Sequence, residues 1–322
     1  MQDKDRDEKH KRNFASDEIM SELKDMLQFP NDARIKDLPT TPYPNIYILG
    51  CPRSGTTFIH QFLVNTFDLS YPSNFISRFY YATYIGAKIQ YLINNLDLKG
   101  ELLNHSESQD YRSELGKTKG SLSPHEFTFY WRQFFSTDDS GYVEIQNQKE
   151  VNDFLAGLNA IKHVFKNPFV LKGIFTNNGI SRFTKDRPDD LVIHVKRDVA
   201  FNAQSLIEAR NEFFGDVSKW YSFGIPRMKN LHELSVEEQV VLQVIKTNEL
   251  IENELQNLDA NQVITIDYDH LDEELPRLVD ILKKKNIKQK STDVESFVPN
   301  NSVRLDQESW DSIQKLITKH SG

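Results

Sequence analysis

The sequence predicts an α/β fold in which a parallel sheet carries helices on both faces. Short, continuous apolar runs rich in β-branched residues recur along the chain, as expected for strands that are buried on both sides. Segments with helical periodicity follow these runs, and strands that alternate with helices form parallel sheets. Ligands of such sheets bind at the carboxyl ends of the strands, which is where we look for function.

The first of these units spans residues 45 to 67, NIYILGCPRSGTTFIHQFLVNTF. Ile46 to Leu49 predict a buried strand, a turn of small residues begins at Gly50, and a helical pattern begins at Thr56. A strand, a glycine turn and a helix start direct free N–H groups and the positive end of the helix dipole to one point. This arrangement is typical of a site for phosphate or a similar oxyanion.

The spacing of the turn is close to that of the ATP-binding P-loop. Thr56 stands where the phosphate-gripping lysine of that loop belongs, so a nucleoside triphosphate would be held poorly. Arg53 supplies positive charge instead, and Thr56 and Thr57 add hydroxyl donors. We expect an anion site here rather than an ordinary turn with a surface arginine, and we expect Cys51 only to fill space.

Composition and charge narrow the class of protein. The 322 residues are 27% charged and have a mean hydropathy of −0.56, and no uncharged apolar run approaches the ~20 residues that span a bilayer. The charged opening MQDKDRDEKHKR is unlike a secretory signal, and the single cysteine fits a reducing compartment. We therefore expect a soluble, cytoplasmic protein. The net charge of −8 argues against nucleic acid or an anionic membrane as a partner.

The chain shows no internal repeat or linker, so we expect a single domain over residues 1–322, with residues 1–40 as a peripheral extension. Within that extension, Ser16 to Leu27 predict a short helix, and the prolines from Pro30 to Pro44 predict an extended approach to the first strand.

Two further segments precede the central strands. Tyr71 to Leu103 is rich in aromatic residues, which favours core packing, with a substrate cleft as the alternative. Glu101 to Lys119 is polar and predicts a surface connection.

The stretch SPHEFTFYW at residues 123–131 predicts a helix capped by Ser123, with Pro124 in its first turn. His125 and Glu126 would then lie together at the helix start. A histidine beside a glutamate within an aromatic surround suits proton transfer. A surface histidine and a glutamate that favours the helix dipole explain the pattern equally well.

Three more apolar runs predict strands, and each ends at a polar residue. FVLK ends at Lys172, LVIHVK ends just before Arg197, and VITID ends just before Tyr268. Because the carboxyl ends of parallel strands share one edge, we expect these residues to lie beside Arg53. Asp198 should cap the next helix, and Arg197 with Ser205 could grip a second phosphate. The alternative is an ion pair between Arg197 and a carboxylate such as Asp198.

Two motifs in this order resemble the PAPS-dependent sulfotransferase family (PAPS is 3′-phosphoadenosine-5′-phosphosulfate). CPRSGTTF resembles the family's 5′-phosphosulfate loop, and RDVAFNAQS resembles its 3′-phosphate signature, an arginine followed eight residues later by a serine. ITIDYDHL also matches a tyrosine–acidic stretch of the family, so the resemblance covers about residues 45–287. It implies a P-loop-type α/β sheet that holds PAPS, and after transfer its product PAP, without a metal.

The resemblance also implies roles for individual residues. The 5′ end of PAPS would be held by Arg53, Ser54, Gly55, Thr56 and Thr57, the 3′-phosphate by Arg197 and Ser205, and the adenine by Phe58 and Tyr268. Arg53 replaces the lysine of cytosolic members, as in the bacterial and glycan-modifying branches. Lys172 aligns with the lysine that precedes the cytosolic catalytic histidine, but Ile174 stands at the histidine position. The base is therefore expected to be His125 or Glu126. Arg304 is a candidate for a C-terminal contact with the 3′-phosphate.

These observations predict a sulfotransferase that moves a sulfuryl group from PAPS to a hydroxyl of a glycan, a lipid or a small molecule. Catalysis is assigned to Arg53, Lys172 and either His125 or Glu126. Two alternatives remain open from the sequence. One is a P-loop kinase or NTPase, since VITID resembles a strand ending in a metal-holding aspartate, and the other is a non-catalytic PAP-binding protein. No sequence feature indicates an oligomeric state.

Three features outside the motifs are expected to be structural. His194 lies on a predicted buried strand and should be a satisfied core histidine. Trp220 and its aromatic neighbours predict a hydrophobic loop, with a flap over the acceptor as the alternative. A C-terminal helix from Asp306 should dock one apolar face onto the core.

Overall fold

A computed structural model describes residues 7, 14–96, 113–115, 117–138, 141–225, 231–291, 297, 299 and 301–320. The helices are α1 (Phe14–Lys36), α2 (Thr56–Thr66), α3 (Thr83–Asn95), α4 (Thr128–Trp131), α5 (Gln148–Phe165), α6 (Ile180–Thr184), α7 (Val199–Phe214), α8 (Val236–Leu255), α9 (Leu271–Lys284) and α10 (Gln307–His320). The strands are β1 (Asn45–Gly50), β2 (Ser113–Glu114), β3 (Lys117–Thr118), β4 (Ser136–Thr137), β5 (Val143–Glu144), β6 (Phe169–Lys172), β7 (Leu191–Lys196) and β8 (Val263–Asp267).

The central sheet contains four parallel strands in the order β6-β1-β7-β8. The first strand in the chain is therefore internal to the sheet, and its neighbours come from much later in the sequence. The pairs β2–β3 and β4–β5 form two small antiparallel ribbons outside this sheet. The predicted α/β class, with its parallel sheet, is confirmed, and the predicted runs at residues 169, 191 and 263 are its other three strands.

Alternating side chains of β1 divide the core between the two faces of the sheet. Tyr47 and Leu49 point into an aromatic-rich cluster with residues of α5 and α6. Ile46 and Ile48 point the other way, into an aliphatic cluster with α2 and α9. Both faces of the strand are fully buried, which explains why its sequence is a continuous apolar run rather than an alternating one.

A third cluster joins α7, α8 and α10 beside the sheet. Ile313 of α10 is fully buried in it, and the Trp310 ring packs 5.3 Å from the ring of Phe201 on α7. The expected docking of the C-terminal helix onto the core is confirmed. This packing matters for the site because it holds α7, which carries Ser205, against the sheet.

The expected short N-terminal helix is wrong in its extent, because α1 continues through Pro30 to Lys36. Tertiary contacts explain the longer helix. Asn31 is buried, and its side-chain oxygen accepts a hydrogen bond from the Tyr84 N–H at the start of α3, 3.0 Å away. Packing against α3 thus maintains the helix beyond the proline, and the extended approach begins only after Lys36.

The aromatic segment after α2 contributes to the core through residues such as Ile76 and Tyr81, which are buried. The polar connection expected at Glu101 to Lys119 falls largely outside the described residues, which resume at Ser113. Among the helices that the structure describes, none combines the length and apolarity needed to cross a membrane.

Candidate active site

The candidate site lies where the four parallel strands end. β1 runs into the turn at residues 51–55, and the other strands deliver Lys172, Arg197 and Tyr268 to the same edge. A cavity of about 150 Å³ opens between these residues and the start of α2. The structure thus brings together the strand-end residues that the sequence placed beside Arg53.

The turn before α2 has a backbone that requires special residues. Gly55 has a φ of 97°, and a Cβ atom built on it would lie 2.1 Å from the ring of Tyr268. Only glycine fits here, because the Tyr268 ring packs directly on the backbone. Arg53 has a φ of 69°, which is unusual for a residue with a side chain. The first N–H groups of α2 face the cavity end of the turn and have no acceptor within their own helix.

Two buried asparagines brace the turn. The Asn177 side chain donates to the Gly50 carbonyl at 3.0 Å, and the Asn202 side chain donates to the Pro52 carbonyl at 2.8 Å. Both residues are fully buried. Sequence reasoning missed them, although an asparagine on the apolar face of α7 was a usable signal, since buried amides are normally hydrogen-bonded to something specific.

Arg53 joins the two predicted anion sites. Its Nε donates to Ser205 Oγ at 3.2 Å, and its carbonyl accepts a hydrogen bond from Arg197 Nη1 at 3.2 Å. Burial lowers the pKa of Arg197, although the nearby Tyr268 and Asp269 partly oppose that shift. The turn and the arginine–serine pair therefore form one basic pocket rather than two separate sites.

Arg197 is not held by its neighbour Asp198. The Asp198 carboxylate caps α7, accepting from the N–H groups of Ala200 at 2.9 Å and Phe201 at 3.1 Å, as expected from the sequence. Arg197 Nη2 instead donates to the side-chain oxygen of Asn301 at 3.3 Å. The carboxylate next in sequence is thus engaged by the helix, which leaves the guanidinium at the cavity wall.

Aromatic rings flank the arginines. The Arg197 guanidinium lies over the Tyr268 ring, 5.1 Å from its centre. Phe58 meets Tyr268 edge to face at 6.4 Å and stacks on Phe297 at 4.1 Å. The predicted adenine contacts Phe58 and Tyr268 therefore lie together, and Phe297 is an aromatic neighbour that the sequence did not indicate.

Lys172 links the start of α2 to Glu126. It is almost fully buried, and its Nζ lies 2.6 Å from Thr57 Oγ1 and 2.5 Å from Glu126 Oε1. The ion pair places a carboxylate beside the residues that line the basic pocket. Lys172 and Glu126 also line a second, adjoining cavity of about 740 Å³.

The helix predicted to start at Ser123 is wrong, because α4 begins only at Thr128. Pro124 instead bridges to Ser73 in an extended pairing, and the His125 N–H donates to the Pro72 carbonyl at 2.6 Å. These tertiary backbone contacts outweigh the local capping pattern. His125 and Glu126 therefore lie on extended chain before the helix rather than in its first turn.

The two candidate bases have different surroundings. Glu126 lines both cavities, whereas His125 is not among the described residues that line either one. His125 Nδ1 accepts the Phe127 N–H at 2.8 Å, and burial lowers the pKa of His125 to about 4. The imidazole is thus neutral near pH 7 and occupied with the backbone that follows Glu126.

The chain matches a known protein family over the region that forms this site. A model of the sulfotransferase family matches residues 44–280, a range that contains all four strands of the sheet, the turn and the arginine–serine pair. The chain belongs to the sulfotransferase family. The predicted family membership is confirmed, and this protein is a member of a family that transfers sulfuryl groups.

Solved sulfotransferase structures resemble this one at low sequence identity. Sulfotransferase STF9 from Mycobacterium avium has a TM-score of 0.52 and 15% identity, covering 90% of this chain and 71% of that one. STF1 from Mycobacterium tuberculosis has a TM-score of 0.48 and 12% identity, covering 89% and 73%. A sulfotransferase from Alicyclobacillus acidocaldarius has a TM-score of 0.43 and 13% identity, covering 87% of this chain and 93% of that one. The likeness to STF9 shows a shared fold. No curated protein sequence matches the chain.

Two other predicted residues of this sulfotransferase have their own partners and are not among the described residues that line either cavity. Arg304 forms a bidentate ion pair with Glu208 of α7, with N–O distances of 2.6 and 2.8 Å. The charge of the Arg304 guanidinium is therefore already balanced by this carboxylate. His194 is buried and within 3.3 Å of the Asn248 side chain, and burial lowers its pKa to about 4. The structural role expected for His194 is confirmed.

Cys51 also has the role expected of it in the sulfotransferase. Its thiol is fully buried against α8, 4.0 Å from the Gln243 carbonyl, and burial raises its pKa well above the usual value. A thiol that stays protonated is a poor nucleophile, so Cys51 fills space behind the turn.

Proposed function

We propose that this sulfotransferase transfers the sulfuryl group of PAPS to an acceptor hydroxyl. The observation that carries the proposal is the position of Arg53, which hydrogen-bonds to both Ser205 and Arg197 at 3.2 Å. A ligand with phosphate at both the 3′ and 5′ positions of one adenosine needs two anion sites in a single pocket. The joining of the turn to Arg197 and Ser205 through Arg53 supports such a pair of sites, whereas an ATP enzyme has no need of the second one.

The residues around the pocket fit such a ligand. Arg53, Gly55 and Thr56 of the turn line the cavity, whereas Ser54 is almost fully buried and is not among the described residues that line it, so we do not propose its hydroxyl as a donor. The first N–H groups of α2 are available to an anion on the turn. Phe58 and Tyr268 offer rings on which an adenine can pack. Bound PAPS supplies the sulfuryl group and departs as PAP.

The cations of the pocket are proposed to stabilise the charge that develops during transfer. As the bond between sulfur and the 5′-phosphate oxygen breaks, its electron pair stays on that phosphate. Arg53 and the amides of Gly55 to Thr57 lie where they would neutralise this charge, and Lys172 adds a buried ammonium 2.6 Å from Thr57. We propose that these groups perform the role that Mg²⁺ has in phosphoryl transfer.

Glu126 is the proposed base. Its carboxylate lies between the basic pocket and the larger cavity, which is where an acceptor hydroxyl would meet the donor. The acceptor oxygen attacks sulfur and forms the new O–S bond while its proton passes to Glu126. His125 is proposed as a positioning residue, because its ring nitrogen holds the backbone next to Glu126.

The alternative of a P-loop kinase receives no support from the strand end that suggested it. The Asp267 carboxylate accepts the Asp269 N–H at 2.9 Å and lies 2.9 Å from His270 Nδ1. It is thus engaged in its own turn, rather than directed at the pocket as a metal ligand. Membership of the sulfotransferase family also favours sulfuryl transfer.

The experiment that tests the proposal compares the binding of two nucleotides in calorimetry: PAP, which carries a 3′-phosphate, and adenosine 5′-phosphosulfate, which lacks one. Arg197→Met should weaken PAP roughly 10- to 100-fold, the scale of one lost charge-assisted hydrogen-bond set. The same change should leave adenosine 5′-phosphosulfate nearly unaffected. Arg277→Met is the matched control, because Arg277 is paired with Glu274 on α9.

Equal losses for both ligands would show that Arg197 does not read the 3′-phosphate. A second measurement, transfer of ³⁵S from labelled PAPS to a panel of alcohols, separates the enzyme from a non-catalytic PAP-binding protein. Tight PAP binding with no labelled product from any acceptor would contradict the proposed activity.

A further inference from the structure

We propose that the acceptor of this sulfotransferase is an apolar alcohol or phenol, with its carbon skeleton in the aromatic cavity beside Glu126. The inference rests on the proposed function, because it assigns the acceptor of that same reaction. It is carried by the burial of the residues that line the cavity: the buried ones are apolar apart from Lys172, and the exposed ones are polar.

The cavity is continuous with the donor pocket. Its volume of about 740 Å³ is within the usual range for small-molecule sites. Glu126, Lys172, Ile174 and Ser222 line both this cavity and the basic pocket. A hydroxyl that reaches Glu126 from this side would therefore arrive where the sulfuryl group is proposed to be.

The deep lining of the cavity is aromatic. Trp131 and Phe135 stack on Phe175 with ring centres 5.0 and 5.9 Å apart and with interplanar angles of 18° and 23°. Val143 and Phe223 complete this part of the wall. All five side chains are at least nine-tenths buried. Protein therefore covers them on every side except the one that faces the cavity.

Polar groups are concentrated at the mouth. Arg132, Ser136, Thr137 and Asp138 line the cavity but are exposed to solvent. Among the described lining residues, the buried polar one is Lys172, which is paired with Glu126. A sugar in the deep part would leave several hydroxyls without partners, and unpaired buried hydroxyls oppose binding. A carbon skeleton with one hydroxyl directed at Glu126 would leave no hydroxyl without a partner.

The outer wall is held in place before any ligand binds. Trp220 Nε1 donates to the Phe223 carbonyl at 3.2 Å, and the Gln243 side chain donates to the carbonyls of Tyr221 and Phe223 at 3.0 Å. The guanidinium of the buried Arg210 lies 5.1 Å from the centre of the Trp220 ring. This loop is thus a fixed wall, which favours the predicted hydrophobic loop over a free flap and lowers the entropic cost of binding.

The test measures kcat/KM for ³⁵S transfer from PAPS to two acceptor series. The first is the primary alcohols from ethanol to octanol, with simple phenols beside them, and the second is glucose, methyl glucoside and maltose. Each added methylene should raise kcat/KM by about two- to fourfold, as expected for burial of a CH₂ group, until the cavity is filled. The sugars should remain below butanol.

A variant pair assigns the effect to the cavity wall. Trp220→Ala should lower kcat/KM for octanol roughly tenfold and leave ethanol nearly unchanged, because it removes apolar area that only a long skeleton reaches. Trp220→Phe should restore most of the loss. PAP affinity, measured by calorimetry, should be the same in all three proteins.

The outcomes separate this inference from the proposed function. No dependence on chain length, or a preference for sugars, would overturn the apolar acceptor while leaving sulfuryl transfer intact. Binding of PAP without transfer to any member of either series would overturn the proposed function, and the inference with it. The wild-type series decides the matter even if Trp220→Ala does not fold.

Discussion

The proposed donor pocket and the proposed acceptor cavity meet at Glu126 but are built in different ways. The donor pocket is formed by backbone and charge: one turn, two guanidinium groups and asparagines that hold the turn from behind. The proposed acceptor cavity is formed by stacked rings and contains one ion pair, between the buried Lys172 and the half-buried Glu126, where it adjoins the donor pocket. Hydrogen-bonding groups in fixed directions suit a single ligand, whereas apolar surface accepts many skeletons of suitable size.

Because of this difference, selection between acceptors is expected to take place in the cavity alone. Substitutions in the donor pocket should slow transfer to every acceptor by the same factor. Substitutions in the acceptor cavity should change the ratios between acceptors and leave donor affinity unaltered.

The largest effect is expected at the junction. Glu126→Gln should lower turnover roughly 10²–10⁴-fold, because the amide cannot take the acceptor proton. The loss should be equal for all acceptors, and PAP affinity measured by calorimetry should change little. His125→Gln is the matched control and should retain most activity if the ring only holds the Phe127 N–H. Near-normal turnover of Glu126→Gln would place the base elsewhere.

A smaller loss is expected on the donor side. Arg53→Ala should lower turnover roughly 10²–10³-fold, the scale of one group that stabilises a transition state. In a steady-state assay, turnover with ethanol and turnover with octanol should fall by the same factor. Arg277→Ala, at a surface arginine of α9, should behave like the wild type. A loss confined to one acceptor would break the proposed separation of the two sides.

A modest effect is expected behind the acceptor wall. Arg210 is fully buried, contacts Trp220 and donates to the Gln239 side chain at 2.8 Å. Arg210→Met should loosen the loop and raise KM for long alcohols by about 3- to 10-fold, since one or two modest contacts are lost. PAP affinity should stay constant. A fall in PAP affinity would show that this wall also supports the donor pocket.

The smallest effect concerns stability in mild acid. Burial lowers the pKa of His60 to about 3 and the pKa values of His125 and His194 to about 4, all below the unfolded value of 6.5. The unfolded chain therefore binds more protons below pH 6.5, so stability should fall as the pH decreases from 6.5 towards 4. Each histidine should lower the free energy of unfolding by on the order of 1–2 kcal/mol at pH 5.

Urea unfolding at pH 7 and pH 5 measures this loss as a lower midpoint at pH 5. His194→Gln should reduce the difference, because a glutamine has no proton to bind and keeps a polar group near Asn248. An unchanged midpoint between the two pH values would mean that the buried histidines accept protons in the folded state.

The donor side was predictable because its information is local. The strand, the turn and the helix start are contiguous in sequence, and the parallel-strand rule then placed Arg197 beside Arg53. The cap at Asp198 was also predictable, since an N-cap depends on neighbouring residues. What the pattern could not supply was the bracing of the turn by Asn177, which comes from a different part of the chain.

The acceptor side was not predictable because its wall is assembled from distant segments. The lining residues come from α4, the ribbon β4–β5, the end of β6 and the loop after α7. The error at Pro124 has the same origin: a cap signal was overruled by pairing with Ser73, far away in sequence. Only tertiary packing tells which aromatic residues share one cavity.

The backbone of Arg53 has a consequence for any effort to improve this protein. Its φ of 69° is a conformation that costs a residue with a side chain about 1–2 kcal/mol and costs glycine almost nothing. Glycine at this position should therefore give a more heat-resistant protein than alanine does, although neither retains the guanidinium. Selection for heat resistance alone would drift towards inactive enzymes, so a screen for robust variants has to score sulfate transfer in the same round.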